Sequence, residues 1–552
     1  MKQRHAIAYA SSLVLLLAAC STAANGSDGE DSTDSTQTTP SSSTPNASVS
    51  TVTLGSVPEL KEAHSVDEVD LDSALDIALS GDTASSLAEG VTIEGNTVTI
   101  TAAGTYRLAG TLAGQVVVDT TEKVALVLDG ADITATSGAA ISIVEADEVT
   151  IVLADGSTNA LADAAGNDSG AALDSSADLS ITGTGTLDVV GTTNDGIASS
   201  DGLVIESGTI SVTAADDAIR GNDYVVITGG DITATGTGGH ALKADNVDDT
   251  TVGYVSISAG ALDLTSGEDG INAQTILISD GELTIAAIDD GAHADLYMGI
   301  TGGDIAITES EEGLEAAAME LAGGVIDIVS ADDGINVSSD ASTAGDFAVD
   351  ETLWVSLSGA EVTIDAEGDG LDSNGNATMS AGSLTIHGPV SSGNGAIDVV
   401  GTFDVSGGDL IAAGSAGMAE TPSASSTQSF VQGSITARAG SVVELQDSSG
   451  TVVATFTAIK DAQTIVFSNA AIVAGETYTF VTDGAESSTG TAGQETAGMG
   501  GGMGGGQMPG GGEMPGDGQM PGGGEMPGGG QMPGGGQMPG GETSTQQDEG
   551  NV

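Results

Sequence analysis

Asn194-Asp195-Gly196-Ile197, Asp216-Asp217-Ala218-Ile219, Gly239-His240-Ala241-Leu242, Glu268-Asp269-Gly270-Ile271, Asp289-Asp290-Gly291-Ala292, Glu311-Glu312-Gly313-Leu314, Asp332-Asp333-Gly334-Ile335 and Gly368-Asp369-Gly370-Leu371 are eight copies of one phrase. Its second position, the acid slot, recurs at spacings of 22, 23, 29, 21, 22, 21 and 36. The two long intervals place insertions near Asp245–Gly253 and Ser338–Leu353. A fixed period of this size predicts a solenoid.

Alternating runs precede the phrases, such as Thr209-Ile210-Ser211-Val212-Thr213 and Asp304-Ile305-Ala306-Ile307-Thr308. Period-two alternation rich in β-branched residues predicts strands. Gly229-Gly230, Gly302-Gly303 and Gly323-Gly324 suit the tight bends between them. About 21 residues are too few for a strand, a full helix and two loops, and the Leu/Asn signature of leucine-rich repeats is missing. The expected fold is therefore all-β: a parallel β-helix, with a small antiparallel β cap near the C-terminus and disordered termini.

Equivalent residues of successive coils then stack about 4.8 Å apart. The apolar position two residues after the slot (Ile197, Ile219, Leu242, Ile271, Ala292, Leu314, Ile335, Leu371) points inward. The slots point out, and carboxylate stacks on carboxylate. Two such charges about 5 Å apart repel by roughly 3 kcal/mol at an effective dielectric of 20. A cation with oxygen ligands relieves this, and Ca²⁺ suits it better than Mg²⁺ because its shell is larger and more flexible. The candidate metal ligands are Asp195, Asp216, Asp217, Glu268, Asp269, Asp289, Asp290, Glu311, Glu312, Asp332, Asp333 and Asp369. The bland alternative is solvated Asp-Gly turns.

Three residues after the slot lies a varied polar column. Arg220, Lys243, Asn272, His293, Asn336 and Asp372 from it are the candidate saccharide-binding residues. An acidic wall beside a hydrogen-bonding wall suits a linear polymer of hydroxylated units. An ordinary wet face remains the alternative.

Residues 1–19 carry a basic start and an apolar run ending Leu17-Ala18-Ala19-Cys20, a secretory signal. Leu-Ala-Ala-Cys looks like a bacterial lipobox, which implies cleavage before Cys20 and lipidation of its sulfur. That would anchor the chain on the outer side of a bacterial membrane, at the cell surface. Cys20 is the sole cysteine, so disulfides are excluded. Residues 20–52 read as a disordered Ser/Thr-rich tether, 53–429 as the repeat domain, 430–485 as the β-rich cap, and 486–552 as a disordered Gly/Met/Pro tail. A helix within 59–86 is expected to cap the open end of the rod. The formal net charge is −71, and about −73 once Lys2 and Arg4 leave with the signal. That excludes a nucleic-acid partner. Aromatics are 2% of the chain, so aromatic platforms for neutral sugars look scarce.

The segments Ala103-Gly104-Thr105-Tyr106-Arg107-Leu108, Leu153-Ala154-Asp155-Gly156-Ser157 and Gly183-Thr184-Gly185-Thr186-Leu187, the Asp-Asp-Gly-Ile series, and Ser415-Ala416-Gly417-Met418 follow in order. Together they resemble the extracellular carbohydrate-binding β-helix family described from cellulolytic bacteria, itself similar in fold to pectate lyases. The resemblance implies a right-handed parallel β-helix, bound Ca²⁺ and binding of plant polysaccharides, acidic ones included. With no convincing base in the groove the expected role is non-catalytic, and the expected state is a monomer. His240 departs from the acidic pattern. Two alternatives stay open. One is a polysaccharide lyase using Ca²⁺ with Lys243 or Arg220 as base. The other is a structural or adhesive surface protein whose Ca²⁺ only stiffens the rod.

Overall fold

The computed structural model describes residues 56–166, 170–339, 341–344 and 348–494. Cys20, the tether and the Met/Gly/Pro repeats lie outside the described residues.

Strands dominate because apolar residues alternate with polar ones. Thr209–Ala214 and Ala261–Ser266 each bury every second residue. Each turn of the chain contributes to three ladders, and each ladder pairs a strand with its equivalent roughly one repeat later. In the first, Thr209–Ala214 pairs parallel with Asp231–Gly236. In the second, which carries the phrases, Ile219 faces Leu242 and Leu242 faces Ile271. In the third, Tyr224–Ile227 pairs with Tyr254–Ile257. The inward residues of all three meet in one long core. The apolar column after the acid slots is part of it: Ile197, Ile219, Leu242, Ile271 and Ile335 are fully buried. Tight bends separate the ladders. Gly230, Gly303 and Gly324 adopt φ of 102°, 99° and 90°, a region that penalises any Cβ.

This architecture corrects the expected open right-handed parallel β-helix. The strands join into one 38-stranded sheet that closes, barrel-like in section, around the core. Closure comes from strands that bend instead of stopping at the corners. Ala292–Glu309 pairs through Ala292 with Leu314, through Met298 with Met319 and through Ile305 with Ile326, so one strand serves all three ladders. Nor is the sheet purely parallel. Val91–Glu94 and Thr97–Ile100 form an antiparallel pair, and Ala462–Ser468 runs antiparallel to both Asp409–Gly414 and Phe430–Ala437. A second, four-stranded antiparallel sheet contains Val442–Gln446 and Thr477–Thr482. Short repeats fix the spacing of equivalent residues, but they leave open how the corners are made.

The expected N-terminal helix is also corrected. Among the described residues that region holds only a 3-10 turn at Leu71–Ser73, followed by the strand Leu75–Gly81 on Gly104–Leu112. Ile77 and Leu79 alternate into the core, a period of two that overrides any helical reading. Before this strand the chain runs as an extended strap over the third ladder. Leu60, Ala63 and Val66 pack on Val204, Tyr224 and Tyr254. His64 contacts Tyr224 Oη at 2.9 Å and Ser180 Oγ at 2.7 Å, and Lys61 N–H donates to the Thr251 carbonyl.

Candidate cation and saccharide site

Four of the acid slots are buried and Glu312, Asp333 and Asp369 are half-buried, which corrects their expected outward exposure. Asp195, Asp217, Asp269 and Asp290 are each 5% exposed or less, while their leading neighbours Asp216, Glu268, Asp289, Glu311 and Asp332 are exposed. The cause is a repeated staple between turns. Asp217 Oδ1 accepts the His240 N–H at 2.9 Å, and Asp269 Oδ1 accepts the Asp290 N–H at 3.1 Å. Asp333 Oδ1 accepts the Asp369 N–H at 2.6 Å, and Asp369 Oδ1 accepts the Gly395 N–H. One carboxylate oxygen thus pairs a backbone amide of the next turn, a bond of the charge-assisted kind. Burial follows, and the second oxygen remains for other partners.

Those partners divide the column. Arg220 Nε lies 2.8 Å from Asp195 Oδ2, and Arg220 also reaches Asp245 at 3.7 Å. Lys243 Nζ lies 3.3 Å from Asp217 Oδ2. These turns carry their own cations. Even so, burial pushes Asp195 up to about 6, with Arg220 opposing. From Asp269 to Asp398 the turns are poorer in cations. Asn272 Nδ2 donates to Asp269 Oδ2 at 2.7 Å. His293 Nδ1 lies 3.1 Å from Asp290 Oδ2 and 3.6 Å from Glu315 Oε2. Further along, burial pushes Asp333 to about 6, Asp369 to about 7 and Asp372 to about 8, reinforced by one another's charges and by Asp398.

Asp290 breaks the staple. Its Oδ1 is buried, and no N–H or O–H that the fold fixes donates to it. Other carboxylates crowd it instead. Ligand atoms of Asp289, Asp290 and Glu312 all lie within 4.8 Å of one another, as do those of Asp269, Asp290 and His293. Glu312 and Glu315 can serve Asp290 only by carrying a proton. Burial first, then contact with Asp290, pushes Glu312 upward, and Glu315 to about 7. Burial opposes a charge on His293 as well, but Asp290 and Glu315 outweigh it and raise the imidazole to about 9.

Beside this cluster opens a cleft of about 480 Å³. His293, Asp295 and Glu315 line it from the phrase ladder, with Gln274, Ala294 and Leu296. Val247 enters from the first insertion, and Ser338, Ser339 and Ala341 enter from the second. The two insertions that interrupt the repeat therefore wall the cleft. Ser338 and Asn336 both donate to Glu315 Oε1, which fixes that carboxylate.

Of the sequence candidates, the structure gathers Asp269, Asp289, Asp290, Glu312 and His293, with Asn272 and Asn336 alongside. It sets Asp195, Asp217, Arg220 and Lys243 apart as ion pairs. Asp333, Asp369 and Asp372 form a further acidic group with Asp398. Asp216, Glu268, Glu311 and Asp332 stand at the exposed rim. Sequence reasoning missed Gln274, Asp295, Leu296 and Ser338, and the insertions were the available signal. It also missed the placement of the aromatics. Register puts Tyr224, Tyr254, Thr275, Tyr297, Ala318 and Trp354 in one column of the third ladder. Tyr224 and Tyr254 stack at 5.3 Å, and Tyr297 and Trp354 lie 6.3 Å apart. A tyrosine seven residues after the slot, at Tyr224 and Tyr297, was the clue.

Residues 94–350 match the model of a family described as carbohydrate-binding domain-containing proteins. A solved relative, a polysaccharide lyase-like protein from C. thermocellum studied as its gadolinium derivative, is 31% identical. The match covers 45% of this chain and 99% of that one, with a TM-score of 0.35. The family match spans residues 94–350 of the 552, and over that stretch the chain is similar to carbohydrate-binding domain-containing proteins. No curated protein matches the sequence. The family match spans the strap-covered tyrosines, the acidic cluster and the residues that line the cleft.

Proposed function

We propose that the chain binds polysaccharide in the cleft beside Asp290, with Ca²⁺ held by the neighbouring carboxylates, and that it does so without catalysis. One observation carries the reading: the crowded acidic cluster and the cleft share His293, and Glu315, 3.6 Å from that imidazole, lines the cleft beside it. The donor set fits the ion. Asp289, Asp290 and Glu312 offer only hard oxygens, and Asp290 Oδ1 is buried with no fixed donor. Bound there, Ca²⁺ would supply positive charge and open positions for hydroxyl or carboxylate oxygens. The protein's residues do the rest. Asp269 and Asp290 are held in place by the sheet, Glu315 is oriented by Ser338, and Leu296 and Ala294 give an apolar floor for a sugar ring.

Acidic polysaccharides of the plant cell wall type are the expected substrates, because so acidic a surface holds a polyuronate only through a bridging cation. Lipidation at Cys20 would display the domain, as a monomer, on the outer face of a bacterial membrane. For the lyase alternative, Arg220 and Lys243 are the available bases, and both are engaged by Asp195 and Asp217.

The test is retention of the purified chain on immobilised polygalacturonate and on cellulose, with Ca²⁺ and with chelator. Retention in Ca²⁺ that chelator abolishes, and that Asp290→Asn weakens, supports the proposal. Retention on neither polymer, or retention indifferent to chelator, rejects it.

A further inference from the structure

The two ligand sets that meet at Asp290 differ in chemistry. Asp289, Asp290 and Glu312 present oxygen alone, whereas Asp269, Asp290 and His293 add an imidazole nitrogen. Hard cations such as Ca²⁺ take oxygen shells, whereas imidazole favours first-row transition cations. His293 also turns both ring nitrogens toward carboxylates. Its Nδ1 faces Asp290 Oδ2 at 3.1 Å, and its Nε2 lies 3.7 Å from Asp295 Oδ1. The ring lines the cleft, so a cation on it would keep positions open to that space. A second, independent sign is the buried Asp290 Oδ1, which has no donor in a column where equivalent oxygens hold a backbone amide.

We infer that this cluster is a mixed two-cation centre bridged by Asp290. Ca²⁺ sits on Asp289, Asp290 and Glu312, and a first-row transition dication sits on Asp269, Asp290 and His293, facing the cleft. The first half rests on the calcium reading above, and the second does not. The turns at Asp195 and Asp217 need no such ion, because Arg220 and Lys243 fill the equivalent role with their own charge.

The experiment uses the full chain stripped by chelator, with Co²⁺ as the probe for the nitrogen-containing site. Co²⁺ is followed by its visible absorption and Ca²⁺ by calorimetry. Co²⁺ should bind in the presence of saturating Ca²⁺, with a spectrum that changes when the imidazole is removed. His293→Gln should weaken Co²⁺ at least tenfold and leave Ca²⁺ unchanged. Glu312→Gln should do the reverse, and Asp290→Asn should weaken both. Circular dichroism checks that each variant folds, and His293→Asn serves if the glutamine variant does not. The inference is overturned if Ca²⁺ displaces Co²⁺ one for one, or if the folded His293 variant binds Co²⁺ like the parent. A different result, His293-dependent Co²⁺ binding with no Ca²⁺ uptake at all, would overturn the mixed centre together with the calcium reading and leave a single transition-cation site.

Discussion

Removing Ca²⁺ should lower the melting temperature, and the drop should grow with pH. Three carboxylates whose ligand atoms lie within 4.8 Å repel pairwise by about 3–4 kcal/mol at an effective dielectric of 20. Without an ion the chain escapes this cost by keeping protons on Glu312 and Glu315. Burial raises Glu315 from the ordinary 4.5 to about 7. A carboxylate raised on folding contributes stability that is fully present below its unfolded value and lost as pH rises through its folded value. The ion-free protein should therefore weaken steadily from about pH 4.5 to about pH 9, as Glu315 (raised to about 7) and then Glu312 (raised to about 9) lose their protons, and across that window an ion takes over from the protons. At a hundred times its dissociation constant the ion stabilises by about 2.7 kcal/mol. The entropy of unfolding is about 2.1 cal/mol/K per residue, so for 552 residues this is a shift of about 2–3 °C. Differential scanning calorimetry in Ca²⁺ and in chelator, at pH 5 and pH 8, measures it. A melting point indifferent to chelator at pH 8, or a larger shift at pH 5 than at pH 8, would refute the reasoning.

Arg220→Ala should cost about 3 kcal/mol in urea denaturation, because it strands the buried Asp195 without its cation. Polysaccharide retention by the folded fraction should survive. Gly313→Ala should cost about 1–3 kcal/mol, since its Cβ would meet Ile328 Cγ2 and the Gly334 carbonyl oxygen, both held by the sheet. His64→Ala removes contacts with Tyr224 and Ser180 that hold the strap, so limited proteolysis between residues 57 and 70 should accelerate severalfold with the melting point little changed.

What could be read in advance was whatever repeats. Alternation told the strands, and the phrase told which residues would share a column; Ile219, Leu242 and Ile271 lie where that argument puts them. What does not repeat escaped. The continuity of Ala292–Glu309 through three ladders is set by bends that no pattern announces, so an open rod was expected where the sheet closes. The strap was invisible because Leu60, Ala63 and Val66 follow no period and find their partners some 140–190 residues away. Composition misled about aromatics. A content of 2% says nothing of whether they gather, and four of them gather in one column.

The burial of the acid slots changes what the cluster can do. A solvated carboxylate column would rearrange freely, and any ion bound there would have to order it at an entropic cost. Here the sheet has already met that cost. Asp269 is pinned by the Asp290 amide, Glu315 by Ser338 and Asn336, and Asp290 by the strand whose core residues, Ala292 and Ala294, are buried on either side of His293. The geometry is fixed before a ligand arrives, and the remaining freedom is protonic. Selection between a proton, a transition cation and Ca²⁺ then depends on which charge best fills a space the backbone has drawn. The insertions at Val247 and Ser338 bring a cleft to that spot, beside His293 and Glu315. Repetition builds the scaffold, and the two departures from it decide where a polymer could be held.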